Sequence, residues 1–196
     1  VGPMVAALEF RRSVLALIEE DDLPKTGLRL VVELYGSLSA TGIGHGTDGA
    51  LCAGLIGLHP KDADPAAVWQ AKPDLKEKPF INLHSVKLMF DPEPDIHFLG
   101  WTMDDQALPH VNTMRFRLQA DQQIVHDEIW LSVGGGFVEW FDPAQGTRVS
   151  RSITPANTVV PYPYNTSDEF IRQCDKSKLA PWQVVIANEE SRGNSE

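Results

Sequence analysis

Cysteine is scarce in this chain. Two residues, Cys52 and Cys174, stand far apart in 196. They cannot build a disulfide framework, nor a four-thiolate zinc or iron–sulfur site within one copy. A reducing, cytoplasmic compartment is the expectation that follows. Long apolar runs are missing too. The stretch Leu51–Leu58 is short and broken by Gly54 and Gly57, far from the ~20 residues a membrane-spanning helix needs. No signal-peptide pattern opens the chain, because Arg11, Arg12, Glu19 and Glu20 fall within a helical pattern. Basic charge is in deficit, with 17 Lys and Arg against 27 Asp and Glu and a net charge of −10. Such a surface repels phosphate backbones and anionic bilayers, which excludes nucleic acid and membrane as expected partners. The metalloprotease pattern His-Glu-x-x-His is absent, and His59, His84, His97 and His126 are read as surface or structural residues. No metal ligand is expected in this chain, and no internal repeat is visible.

What is present begins with an amphipathic helix. Ala7, Phe10, Val14, Leu17 and Ile18 recur at helical spacing. Pro24 and Gly27 then punctuate the chain. Leu28, Leu30, Val32 and Leu34 alternate with Arg29, Val31 and Glu33, which predicts a strand with one apolar face. A second helix with Leu51, Leu55 and Leu58 on one side follows, its first turn capped by Thr47 or Asp48. Residues 66–70 predict a short helix at most, and 72–79 a charged loop. A strand is weakly indicated around Phe80–Phe90, with Ile81, Leu83 and Val86 out of strict register, and Asp91-Pro92-Glu93-Pro94 reads as a turn. Met114, Phe116 and Leu118, then Val125 through Val133 beyond Asp121-Gln122, predict a hairpin. Gly134-Gly135-Gly136 closes it. Residues 142–167 lose all periodicity and read as a Pro-rich linker between a first domain, 1–141, and a helical segment, 168–196, capped by Ser167 and continued from Pro181.

The stretch from Thr41 to Asp48 carries the most chemistry. It joins a strand to a helix and contains Gly42, Gly44, His45, Gly46, Thr47 and Asp48. Glycines let backbone N–H groups approach a ligand, and a helix N-terminus favours a carboxylate. A histidine there can move a proton near neutral pH. The same residues also fit a tight turn holding a structurally satisfied imidazole. A dinucleotide fingerprint fits poorly, since the third glycine is misplaced and no acidic residue follows at the end of a second strand ~20 positions on. His110 and Asn112 fall on one side if the next strand begins early, and could together orient a small polar ligand. A solvated loop is the plainer alternative. Ser132 through Gly136 could form a backbone nest for an anion, or a bend at the sheet edge.

Several stretches in order resemble the bacterial-type iron–sulfur L-serine dehydratases (L-serine ammonia-lyases). They are Val1-Gly2-Pro3-Met4, Val32 through Leu38, Thr41 through Asp48, His110 through Phe116, Ser132 through Phe137, Pro161-Tyr162-Pro163-Tyr164 and Ala187-Asn188-Glu189. The resemblance covers nearly the whole chain and is to the family's beta domain. It implies an α/β (α+β) fold with helices layered on a largely antiparallel or mixed sheet, similar to the allosteric substrate-binding domain of some phosphoglycerate dehydrogenases. It implies L-serine as substrate, deaminated to pyruvate and ammonia without pyridoxal phosphate. A 4Fe-4S cluster would be ligated outside this chain, by an alpha domain that the chain stops short of, so the chain alone is expected to be inactive. A homodimer is expected. By match to the family's motifs, His45 would be a base or proton relay. Thr47, Asp48, His110 and Asn112 would be substrate-side residues, and Gly44, Gly46, Gly134 and Gly135 would supply backbone contacts to an anion. Departures are Ile43, where the family often has lysine, Val111, where it often has proline, and a Ser-Ser-Ser-His-Thr tract that would precede Val1. A non-catalytic module that binds serine or another small carboxylate is the alternative, and a purely structural dimerisation domain a third.

Overall fold

The computed structural model describes residues 1–150 and 159–192. The chain divides into two compact units, Val1–Ser152 and Ile153–Glu196, taken separately below. In the first unit the elements run α1 (Gly2–Glu19), β1 (Leu28–Leu34), α2 (Gly36–Thr41), α3 (Thr47–Leu55), α4 (Pro65–Glu77), β2 (Phe80–Leu83), β3 (Val86–Met89) and α5 (Pro92–Asp95). They continue with β4 (Ile96–Phe98), β5 (Thr102–Met103), β6 (Gln106–Ala107), β7 (Thr113–Ala120), β8 (Gln123–Gly134), β9 (Phe137–Asp142) and β10 (Thr147–Ser150). The second unit holds α6 (Ser167–Ser177) and α7 (Pro181–Ser191).

The sheet is mixed, in the order β10-β9-β8-β7-β1-β3-β2, with β4 also beside β1. Strand β1 runs parallel to β3 and β4 and antiparallel to β7. Its alternation decides which face is buried. Leu28, Leu30, Val32 and Leu34 point with Ala120, Leu118, Phe116 and Met114 of β7 into the main core. The amphipathic α1 lies over this face through Met4, Ala7, Phe10 and Val14, and the Phe10 ring stacks on Phe116 at 4.9 Å. Helix α3 crosses α1 closely at Gly54, where a Cβ would meet the Met4 carbonyl oxygen at 2.2 Å. A side chain there would force the helices apart. The opposite sheet face is covered more thinly, by a cluster of Tyr35, Met103, Ile129 and Leu131.

The β7–β8 hairpin turns through Asp121 and Gln122, both at positive φ (48° and 67°), the conformation that matches strand twist in a two-residue loop. His84-Ser85 makes the corresponding turn between β2 and β3, which explains why Ile81, Leu83 and Val86 share no single register.

Three local expectations are corrected, and one short helix is added. Residues 72–79 do not form a loop, because α4 runs to Glu77 with Pro73 inside it. Proline removes one donor, from the bond to Trp69, and costs the helix locally. Burial of Ala71 and Leu75 on the core side holds the turn. Residues 36–41, to which no element was assigned, form the short α2. Residues 92–95, read as a turn, form the single turn α5, capped by Asp91 accepting from the Glu93 N–H at 3.1 Å. Within the expected linker 142–167, Thr147–Ser150 pairs with β9 as β10, and residues 151–158 lie outside the described residues.

In the second unit the cap of α6 is Thr166, not Ser167. Its Oγ1 accepts from the Glu169 N–H at 3.2 Å, while the Glu169 carboxylate accepts from the Asn165 N–H at 2.7 Å. Asn188 of α7 bonds both ways to the Tyr162 backbone, accepting at 3.0 Å and donating at 2.8 Å. The Pro-Tyr-Pro-Tyr stretch and the Ala-Asn-Glu stretch, distant in sequence, are thereby joined.

Candidate functional site

The candidate residues collect at one end of β1. The strand exits through Tyr35, whose N–H donates to the Thr113 carbonyl at 3.0 Å. Gly36 follows at φ 57°, packed so tightly that a Cβ would meet the Val111 carbonyl oxygen at 2.4 Å. Only glycine fits there. The next N–H, of Ser37, donates to Val111 O at 2.8 Å. The start of α2 is thus seated on the His110–Thr113 loop. The far end of α2 meets the other candidate, since His45 Nδ1 lies 2.8 Å from the Thr41 carbonyl oxygen. Ser37 and Thr41 are separated by one turn of helix, about 6 Å along its axis.

The hydrogen bonds fix two different tautomers. A carbonyl oxygen can only accept, so the bond to Thr41 requires a proton on His45 Nδ1. In the neutral ring Nε2 then carries the free lone pair, on an exposed side chain. His110 is the reverse. Its Nδ1 accepts from the Asn112 N–H at 3.1 Å, so its neutral ring carries the proton on Nε2 and presents a donor. Thr113 Oγ1 donates to the His110 carbonyl at 2.6 Å and stiffens the loop. Asn112 Nδ2 donates to the Ser132 carbonyl at 3.3 Å, and the Ser132 N–H returns a bond to Asn112 O at 3.0 Å. This leaves the Asn112 Oδ1 as an acceptor. Among the described residues, no hydrogen bond joins His45 to His110 or Asn112.

The loop amides are divided. Those of His45 and Thr47 donate to the Gly42 carbonyl at 3.3 and 3.0 Å, while those of Gly44 and Gly46 make no hydrogen bond to the described residues. Gly46, at φ 67°, is the residue before α3. The expected cap is therefore corrected. Neither Thr47 nor Asp48 caps α3, because the helix already begins at Thr47, which is buried. Asp48 is committed elsewhere: one oxygen accepts from the Gly49 N–H at 2.8 Å and the other binds Lys72 Nζ of α4. Lys72 was not legible as part of this loop.

The glycine run after β8 is left-handed throughout: Gly134, Gly135 and Gly136 all have positive φ (104°, 60° and 84°). They form a bulged turn between β8 and β9. Sequence reading gave no sign that the start of α1 abuts this turn. A Cβ at Gly2 would lie 2.1 Å from Ser132 Oγ, and one at Gly136 would lie 2.8 Å from Val1 Cγ1. The His-x-Asn element, Ser132 and the first turn of α1 thus form one contiguous patch.

The other histidines stay outside it. His126 and Glu128 have His-x-Glu spacing on β8, but they pair with each other (Nε2 to Oε1, 3.0 Å), and Glu128 also accepts from Trp130 Nε1 at 2.7 Å. Among the described residues, no cluster of three or more His, Cys, Asp or Glu could hold a metal ion. Cys52 does not fit a role as cluster ligand. Cys52 is sealed in the core, and burial foremost, then the nearby Asp48 carboxylate, pushes its thiol up to about 12, away from the thiolate that iron requires. No described helix is long and apolar enough to cross a membrane.

A family model described as serine dehydratase beta chain matches residues 1–142. An L-serine dehydratase of Streptomyces coelicolor is 32% identical over 196 residues, covering 97% of this chain and 40% of the relative. L-serine dehydratase 2 of Escherichia coli is 29% identical over 197 residues, covering 96% of this chain and 39% of the relative. An L-serine dehydratase of Haemophilus influenzae is 30% identical over 193 residues, with 96% and 39% covered. The chain thus spans about two-fifths of the length of these relatives, as their coverage of 39–40% states.

Proposed function

The chain belongs to the serine dehydratase beta-chain family, and from that premise we propose that it forms the substrate-facing half of an L-serine ammonia-lyase, completed by an alpha domain. In this reading residues 168–196 begin that helical domain, and the enzyme's 4Fe-4S cluster is held there, outside this chain. The contribution of this chain is binding and proton transfer.

The observation that carries the reading is the pair of opposite tautomers at the two ends of α2. His45 offers a basic Nε2, suited to take the α-proton of L-serine. His110 offers an Nε2–H, suited to hold the substrate carboxylate or hydroxyl. Asn112 Oδ1 is an acceptor for the ammonium, and the amides of Gly44 and Gly46 are donors for the carboxylate. Thr47 and Asp48, buried and ion-paired respectively, shape the loop. Loss of the α-proton and of the β-hydroxyl as water leaves an enamine. It tautomerises to an imine, and one water hydrolyses that imine to pyruvate and ammonia. Two unpaired cysteines support a cytoplasmic setting. The exposed edge strand β10 supports pairing with a second copy.

The test compares the 196-residue chain with the protein extended by its alpha domain, assaying iron, sulfide and pyruvate release from L-serine. The extended protein is expected to turn over, and the chain alone to be inactive. His45→Asn in the extended protein should lower kcat by roughly 10²- to 10⁴-fold, the range for a lost general base. Pyruvate release by the chain alone, or wild-type kcat in the variant, would refute the assignment.

A further inference from the structure

Helix α4 reaches the His45 loop with two side chains one turn apart. Lys72 Nζ donates to the Asp48 carboxylate, across 24 residues of sequence. Trp69, 77% exposed, brings its ring within 4.0 Å of where a Cβ would stand on Gly46. The loop is thus held from outside by an element that contributes nothing else to the site.

The consequence follows from charge and burial. The Asp48 side chain is only 15% exposed and that of Lys72 34%. Cys52, one helical turn beyond Asp48, is neutral and buried and offers it no positive charge. Without the ammonium, Asp48 would keep the Gly49 N–H alone. A half-buried carboxylate in that state draws water or swings outward. Asp48 stands in the first turn of α3, three residues after His45, so its movement would carry the Gly46 corner and the imidazole with it. Hydrogen bonding to Asp48, the largest influence on its ammonium, raises the Lys72 pKa, so the folded chain favours the charged lysine.

We propose that Lys72 is a positioning residue for this site, clamping Asp48 so that the glycine loop presents His45 and its amides in one geometry. The proposal rests on the reading of His45 as the base. In the extended protein, Lys72→Met is expected to lower kcat about tenfold or more, with the KM for L-serine changed less than about threefold, because alignment and not binding is lost. Lys72→Arg should keep kcat within about threefold, since a cation of similar reach restores the pair. Adding Lys72→Met to Asp48→Asn should cost little beyond the single change, as expected for two residues acting as one unit. In the 196-residue chain, Lys72→Met should speed amide exchange at Gly46–Gly49 and leave β7 and β8 unchanged.

A Lys72→Met enzyme with kcat within twofold of wild type, or Lys72→Arg as impaired as Lys72→Met, overturns the clamp. A wild-type enzyme that releases no pyruvate overturns the function instead, and the exchange experiment then decides the clamp alone. Unchanged exchange at Gly46–Gly49 sinks it.

Discussion

At the scale of single residues, two buried acids tie stability to alkaline pH. The Cys52 thiol is pushed from its ordinary 9.0 up to about 12, first by burial and then by Asp48. The Tyr35 phenol rises from 10.0 to about 12, through burial foremost and then through donating to Glu33 Oε2 at 2.8 Å. Both folded values lie above the unfolded ones, so the neutral form is favoured by folding. The stability they contribute is complete below pH 9.0 for Cys52 and below pH 10.0 for Tyr35, and is lost as pH rises from there towards about 12. Circular dichroism during base titration should therefore show unfolding within that window, and Tyr35→Phe should make the loss shallower. A titration flat to pH 12 would contradict the burial of both groups. Thiol reagents offer a second check. Cys174, half-buried in the second unit, should react with the native chain, and Cys52 only on unfolding.

The elements show which physical signals survive in a sequence and which do not. Where α3 crosses α1, the 2.2 Å between a Cβ at Gly54 and Met4 O means that Gly54→Val must separate the helices. A loss of about 1–3 kcal/mol, the usual cost of overpacking, is expected in urea melts followed by circular dichroism. A midpoint equal to wild type would mean that the crossing is loose. Strands β1 and β7 were legible because each turns one face into the main core, and burial leaves a period of two in the residues. Strand β10 was not, because all four of its residues are exposed and no apolar pattern marks it. Helix α4 was misread at Pro73, where tertiary burial of Ala71 and Leu75 overrides a local breaker. The candidate site divides in the same way. His45, His110 and Asn112 stand in short contiguous motifs that a reader can find, and their tautomers depend on local carbonyls and amides. Lys72, Trp69 and the contact of Gly2 with Ser132 depend on which distant elements touch, which no spacing reveals.

On the scale of the whole molecule, the two units differ in how much they bury. The first has a continuous core from α1 through the sheet. In the second, α6 buries no residue at all and α7 only Val184 and Asn188, while Ile171, Trp182 and Val185 are exposed. Amide protection scales with the free energy of the opening that exposes each bond, and elements with little buried apolar surface open at low cost. Native-state hydrogen exchange of the 196-residue chain should accordingly be slowest in β1, β7 and β8 and faster by orders of magnitude in α6. If α6 belongs to a larger helical domain, as proposed, its exposed Ile171 becomes core in the extended protein. Its amides should then slow by at least about tenfold, which corresponds to roughly 1.4 kcal/mol, while β7 and β8 change little. An α6 already as protected as β7 in the chain alone, or one unchanged by the extension, would show that these helices are not waiting for a partner and that the proposed boundary at residue 168 is misplaced.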